Sequence, residues 1–201
     1  FQERETHLGY LVEIDFESVA HLKKEFPGLS SKIMEADFLK MDLPAIFPES
    51  FSIIGNFPYN ISSQILFKVL DSRDRVDQVV CMLQKEVADR ICSSHGNKVY
   101  GILSVLLQAF YDIHYLFKVS PGVFIPPPKV MSAVIRLTRN ERKKLDCDEA
   151  LFQLVVKQAF QKRRKTLRNA LKHLNLPGVV NGLDLMDKRP EQLSVEDFIF
   201  L

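Results

Sequence analysis

The chain has 201 residues and a mass of 23.1 kDa, enough for one ordinary domain with a smaller partner. A chain of this length buries roughly 70% of its unfolded surface, so a core forms without disulfide or metal staples, and 15 Phe beside only 8 Gly and 10 Pro exclude disordered, collagen-like and mucin-like classes. The net charge of +2 is nearly neutral, but its distribution is not. Residues 157–173 hold seven basic residues and no acid, residues 174–201 hold two basic and five acidic, and residues 1–156 hold 18 basic against 20 acidic, a net of −2. The positive charge is one local cluster. Three cysteines, Cys81, Cys92 and Cys147, are odd in number and share no C-x-x-C spacing. They point to reduced thiols in a reducing compartment, with a cytoplasmic location as the expectation. No signal peptide opens the sequence, and no apolar run approaches the roughly 18 residues of a membrane span.

Taken in chain order, short apolar runs alternate with helical patterns. Strands are expected at residues 10–14, 32–36, 51–55, 78–83, 113–119 and 130–137, and helices at 17–25, 62–70, 85–93 and 102–110. Such alternation predicts a mostly parallel α/β sheet with helices on both faces. The last two strands have only the Pro-rich link 120–129 between them, which predicts an antiparallel, hairpin-like end. Residues 139–148 are highly charged and read as a linker. Beyond them the pattern is helical. Leu151, Leu154, Val155, Ala159 and Phe160 mark one apolar face, and Leu167, Leu171 and Leu174 another. Pro177 and Gly178 are expected to stop that helix, and Ser194 to Asp197 spells a capping box before a last short one. The expected division is an α/β domain over residues 1–145 and a small all-helical domain over 146–201.

Four clusters of residues suggest chemistry. Val12-Glu13-Ile14-Asp15 ends a strand, where Glu13 is open to two readings: an acceptor for the ribose hydroxyls of a nucleoside cofactor, or a strand-end acid. Asp15 caps the next helix. Ala36-Asp37-Phe38 follows the next strand. Asp37 there is either an acceptor for an adenine amino group with Phe38 over the ring, or a loop acid beside a core phenylalanine. Asn56-Phe57-Pro58-Tyr59-Asn60 directly follows the strand 51–55. An amino group on an aromatic ring is a poor nucleophile because its lone pair is delocalised. The Asn56 amide oxygen and the Phe57 carbonyl, both accepting from that amino group, would draw it toward tetrahedral geometry. Pro58 stiffens the turn, and Tyr59 offers a face to a flipped base. Finally, residues 157–173 carry Lys157, Lys162, Arg163, Arg164, Lys165, Arg168 and Lys172; on a helix Arg164 and Arg168 would face one side with Lys157 and Lys172 roughly in register, as a phosphate-binding face or a solvated one. The five histidines have no metal-ligand spacing, Cys81 reads as core, and Gln84, Glu86 and Arg90 read as a polar network at a helix start.

Together with Leu83-Gln-Lys-Glu-Val-Ala-Asp-Arg90, Phe124-Ile-Pro-Pro-Pro-Lys-Val130 and residues 159–169, these motifs resemble the ribosomal RNA adenine dimethylase family, the kasugamycin-sensitivity dimethylases of the small subunit. The resemblance runs from about Tyr10 to the C-terminus. It implies a Rossmann-like methyltransferase sheet with a helical C-terminal domain, S-adenosylmethionine as methyl donor, and no metal. The implied product is N6,N6-dimethyladenine at two adjacent adenines of small-subunit (16S) rRNA, made by a monomer acting on an immature 30S particle, away from any membrane. By the same resemblance Glu13 and Ile14 meet the cofactor ribose, Asp37 and Phe38 its adenine, and Asn56 sits between cofactor and target amino group. Tyr59 and Phe124 sandwich the flipped base, and Lys157, Lys162, Arg163, Arg164, Lys165 and Arg168 meet RNA.

The family also carries a first strand and a G-x-G loop ahead of Val12, between the strands ending at Ile14 and Gly55. None of the eight glycines forms a G-x-G. The sequence is therefore expected to be N-terminally incomplete, with Phe1 to Glu5 as the tail of the helix after that loop. The methionine end of the cofactor then lacks its backbone cradle. Two other functions compete with this reading: a large-subunit rRNA adenine dimethylase, and a non-catalytic RNA-binding assembly factor on the same fold.

Overall fold

Strand and helix positions follow the sequence pattern closely in the computed structural model, which describes residues 9–201. The expected helix tail at Phe1 to Glu5 lies outside the described residues. The chain forms two compact units, Phe1–Pro48 and Glu49–Leu201.

In the first unit, β1 (Leu11–Glu13), α1 (Phe16–Glu25) and β2 (Ile33–Glu35) make a β-α-β unit whose strands pair in parallel, Leu11 with Ile33 and Glu13 with Glu35. Helix α1 starts where it does because the Asp15 carboxylate accepts the Ser18 N–H at 2.8 Å. Val19 is its one buried residue and faces a small core with Ile33, Met41 and Leu43. Asp42 caps a single further turn, α2 (Leu43–Ile46), which the sequence pattern did not announce.

The second unit holds a four-stranded sheet in the order β3 (Phe51–Asn56), β4 (Val76–Gln84), β6 (Ser132–Arg139), β5 (Tyr111–Val119). Only β3 and β4 are parallel, and β6 and β5 close the sheet antiparallel, as the link 120–129 predicts. The interior strands bury Val79, Cys81, Leu83, Ala133, Ile135 and Leu137. Three helices follow the first two strands: α3 (Ser62–Asp71), α4 (Lys85–Ile91) and α5 (Ile102–Gln108). The mostly parallel sheet expected, with a strand wanting between those that end at Ile14 and Gly55, is among the described residues a β1–β2 pair and a four-stranded sheet, and no further strand there pairs with β1 or β3.

The helical tail packs within the second unit. Helix α6 (Glu149–Gln161) lies against α5 and against the last helix, α9 (Val195–Phe200). A row of rings, Tyr100, Phe160 and Phe198, spaced 6.1 and 6.0 Å, joins these elements. The buried face of α6 is Phe152, Val155, Val156 and Ala159, whereas Leu151 and Leu154 are exposed, so the expected stripe is rotated. Helix α6 ends at Gln161, and the basic run does not continue it. Residues 162–166 form a turn, and α7 (Leu167–Ala170) starts anew. One continuous helix would stack Arg164 on Arg168 as like charges four residues apart. The break also frees the Leu167 N–H to donate to the Lys188 carbonyl at 2.9 Å while its side chain is fully buried. The chain next reverses at Asn175 in the left-handed region, and Pro177 and Gly178 open α8 (Gly178–Asn181) rather than ending a helix. The Ser194 capping box forms as the sequence predicts, with Ser194 N–H on Asp197 at 2.9 Å and Asp197 N–H on Ser194 at 3.1 Å.

Candidate functional site

Glu13 and Asp37 both lie at the carboxyl ends of the paired strands β1 and β2, about 4.8 Å being the usual spacing of such neighbours. Glu13 Oε1 accepts the N–H groups of Ile14 and Asp15, at 2.7 and 2.9 Å, which fixes the carboxylate at the strand tip. Asp37 Oδ1 accepts the Leu39 N–H at 3.0 Å, and Lys40 lies 3.6 Å from its other oxygen. Each acid is therefore a local cap with accepting capacity left over. Ile14 is 65% exposed, an apolar side chain open at the same strand end, and Phe38 is half-buried beside Asp37. Asp15 does what its position predicts: hydrogen bonds from the Ser18 side chain and backbone hold its carboxyl below the ordinary value.

The sheet topology gathers the other motifs at one edge of the second unit. Because β3 and β4 are parallel, Asn56 and Gln84 end at the same edge. Ser132 starts β6 opposite Gln84 and pairs with Val119, the end of β5. The link carrying Phe124 leaves from that Val119–Ser132 pair, through a turn at Pro121–Val123. Asn56 is exposed at the last strand position, and the Phe57 N–H continues the ladder by donating to the Met82 carbonyl at 2.9 Å. The Phe57 ring is buried beneath Gly55, where a β-carbon would stand 3.2 Å from it. Among the described residues nothing donates to the Phe57 carbonyl or bonds the Asn56 side chain. Past Pro58 the chain turns into α3: the Ile61 N–H bonds the Pro58 carbonyl at 3.1 Å and Ser62 Oγ donates to the Tyr59 carbonyl at 3.3 Å.

Sequence reasoning missed Ser132. Its hydroxyl, fully buried, hydrogen-bonds the Tyr59 hydroxyl at 2.5 Å and ties the ring of Tyr59 to the edge from which the Phe124 link departs. The only signal was a small hydroxyl heading an apolar strand. Among the described residues no hydrogen bond joins the side chains of Gln84, Glu86 and Arg90; Lys85 pairs with Asp89 one turn on, and this hydrogen bond raises the lysine's pKa.

The basic residues divide into two groups. Lys162, Arg164 and Lys165 are exposed. Lys157 sits 5.5 Å over the Phe67 ring, Arg163 donates to the Lys98 carbonyl, and Arg168 donates to Asp187 at 3.0 Å and to the Asn181 carbonyl. The acid that offsets Arg168 comes from outside the basic stretch, which no count over residues 157–173 reveals. Among the described residues no group of three or more His, Cys, Asp or Glu is placed to hold a metal, and no helix is long and apolar enough to cross a membrane.

Within the second unit, an unsatisfied pair of carbonyl acceptors beside a tethered tyrosine suits methyl transfer to a base amino group. Known proteins are similar to this chain over most of its length. The ribosomal RNA small subunit methyltransferase A of Cytophaga hutchinsonii is 59% identical over 191 residues, covering 95% of this chain and 74% of that protein. The crystal structure of a dimethyladenosine transferase from Plasmodium falciparum superposes with a TM-score of 0.78 at 26% identity, over 94% of this chain and 78% of the other. The 23S rRNA methyltransferase ErmE shares the fold, with a TM-score of 0.65 and 24% identity over 94% and 79% of the two chains. Because the family model for ribosomal RNA adenine dimethylase spans residues 9–199, taking in both strand-tip acids, the Asn56 turn and the basic segment, this chain belongs to the ribosomal RNA adenine dimethylase family.

Proposed function

We propose that this protein transfers methyl groups from S-adenosylmethionine to the N6 amino groups of two adjacent adenines in small-subunit rRNA. The observation that carries this reading is the turn Asn56-Phe57-Pro58-Tyr59, whose two free carbonyl oxygens stand at the sheet edge beside a tyrosine held by Ser132. When bound, S-adenosylmethionine supplies an electrophilic methyl group. The donor set suits it: Glu13 has an oxygen left to accept ribose hydroxyls, Asp37 can accept an adenine amino hydrogen, and Ile14 and Phe38 are the apolar neighbours of a purine ring. Asn56 is assigned to both binding and chemistry. Its amide oxygen and the Phe57 carbonyl each accept one hydrogen of the target amino group, which localises the nitrogen lone pair. Pro58 keeps the turn rigid, and Tyr59 with Phe124 stacks the target base. The amino proton leaves after transfer, when the nitrogen is cationic, so the protein has to orient the base rather than deprotonate it.

The small-subunit assignment is supported by a relative of that name at 59% identity, against 24% for the 23S enzyme. An immature 30S particle as substrate, a monomeric enzyme and a cytoplasmic location complete the reading, with residues 146–201 as the RNA-facing helical portion. Lys162, Arg164 and Lys165 are its exposed phosphate contacts. Lys157, Arg163 and Arg168, already engaged within the protein, contribute through the surface they hold in place. Single-turnover assays with radiolabelled methyl donor and undermethylated small subunits test the proposal. Asn56→Ala is expected to lower the rate by two orders of magnitude or more, the loss typical of removing a preorganised polar partner, with unchanged affinity for the particle. A near-parental rate would remove the mechanism.

A further inference from the structure

Outside the methyl-transfer edge, the loop of residues 94–99 between α4 and α5 is fastened at two points to distant parts of the chain. The Arg163 guanidinium donates to the Lys98 carbonyl, and the Gly96 N–H donates to the Glu191 carbonyl at 2.6 Å. Gly96 takes a φ of +83°, a conformation that side chains resist, and Asn97 braces the loop by accepting the Val99 N–H at 3.1 Å. The loop is thus shaped to reach the turn 162–166. Lys98 is exposed, as are Lys162, Arg164 and Lys165, and no acid occurs in residues 92–108 or 150–183. The hydrogen bond from Arg163 thus holds the lysine-bearing loop against the basic turn, and positive side chains joined in this way suit a polyanion that lies across both.

We propose that the loop of residues 94–99 forms, with the turn 162–166, one two-segment surface for the RNA phosphate backbone. Lys98 is a phosphate contact, and Arg163 is a positioning residue that acts through the Lys98 carbonyl. This rests on the reading that the protein binds RNA. It reassigns Arg163, whose place in the basic run suggests a direct contact, and it adds a segment that carries a single lysine and stands out in no charge count.

Binding of a labelled RNA hairpin across a salt series tests it, using the full protein and four variants whose thermal midpoints are also measured. Lys98→Ala should reduce the log–log salt slope by about 0.7–0.9, one phosphate contact. Arg163→Ala should reduce it equally, and the double variant no further, because one residue acts through the other. Gly96→Ala removes no charge yet should weaken binding severalfold, since the loop loses the backbone conformation that places Lys98. A parental slope in Lys98→Ala would overturn the two-segment surface. Additive losses in the double variant would make Arg163 a phosphate contact in its own right. If the parent's own binding did not weaken with salt, the RNA reading itself would fail, which is a different outcome from either of these.

Discussion

Gly55 and Ser132 shape the Asn56–Tyr59 turn from outside it, Gly55 beside the Phe57 ring and Ser132 on the Tyr59 hydroxyl. Gly55 leaves room for the buried Phe57 ring, and that ring together with the Phe57 N–H bond to the Met82 carbonyl fixes the peptide whose carbonyl the proposed mechanism assigns to the target amino group. Gly55→Ala forces a 3.2 Å contact on a packed ring, so a loss of about 1–3 kcal/mol in stability is expected, with a larger loss in kcat than in RNA affinity. Chemical denaturation and single-turnover rates measure the two. Ser132 holds Tyr59 by a hydroxyl pair at 2.5 Å. Removing either partner leaves a polar group without its mate in a part-buried setting. Ser132→Ala and Tyr59→Phe are therefore expected to slow methyl transfer by similar factors, and the double variant to be no slower than the worse single one. Independent, multiplying losses would show that the pair does not act as a unit.

At the level of elements, the strands and helices of residues 10–137 were legible because their apolar runs and helical periods are undisturbed; each predicted strand is present within two or three residues. The C-terminal helices were less so. The pattern from Ala159 to Leu174 fits one helix, and nothing local announces that Leu167 leaves it to bond Lys188. The strand-tip acids and the Asn56 turn stand out in the sequence as candidates because chemistry and position coincide in adjacent residues. Ser132 and the Lys98 loop could not, because their roles arise from pairings 73 and 65 residues apart. The broken basic helix has a consequence that a continuous one lacks. Arg164→Ala should lower the salt slope of RNA binding by somewhat less than one unit. Arg168→Ala should leave the slope nearly unchanged but lower the thermal midpoint, because Arg168 joins α7 to Asp187 and to the Asn181 carbonyl. Equal slopes for Arg164→Ala and the parent would mark the turn 162–166 as a solvated face.

On the scale of the whole second unit, sheet and helical tail are held by polar as well as apolar contacts. Arg73 pairs with Glu149 at the start of α6, lies 4.4 Å over the Phe110 ring, and shares that ring with Arg139. Around this joint the interior holds weak acids in protonated form. Burial pushes the Cys81 thiol up to about 12 and the Cys92 thiol to about 11, and it raises Tyr100 and Tyr111 above their ordinary 10.0. Unfolded thiols ionise near 9.0, so below that value both states keep the proton and stability is unaffected. Above it the unfolded chain releases protons that the folded chain retains. The unfolded state then binds fewer protons, and stability falls as pH rises, by up to about 1.4 kcal/mol per pH unit for each such group. The urea midpoint should therefore decline from about pH 9 to about pH 11, where the folded Cys92 thiol itself begins to ionise. Cys81→Val removes one titrating group from the sheet interior at little change in volume, so its midpoint should decline less steeply whatever its starting stability. Parallel declines in the variant and the parent would mean that the Cys81 thiol contributes nothing to the alkaline limit, and that the tyrosines and Cys92 account for all of it.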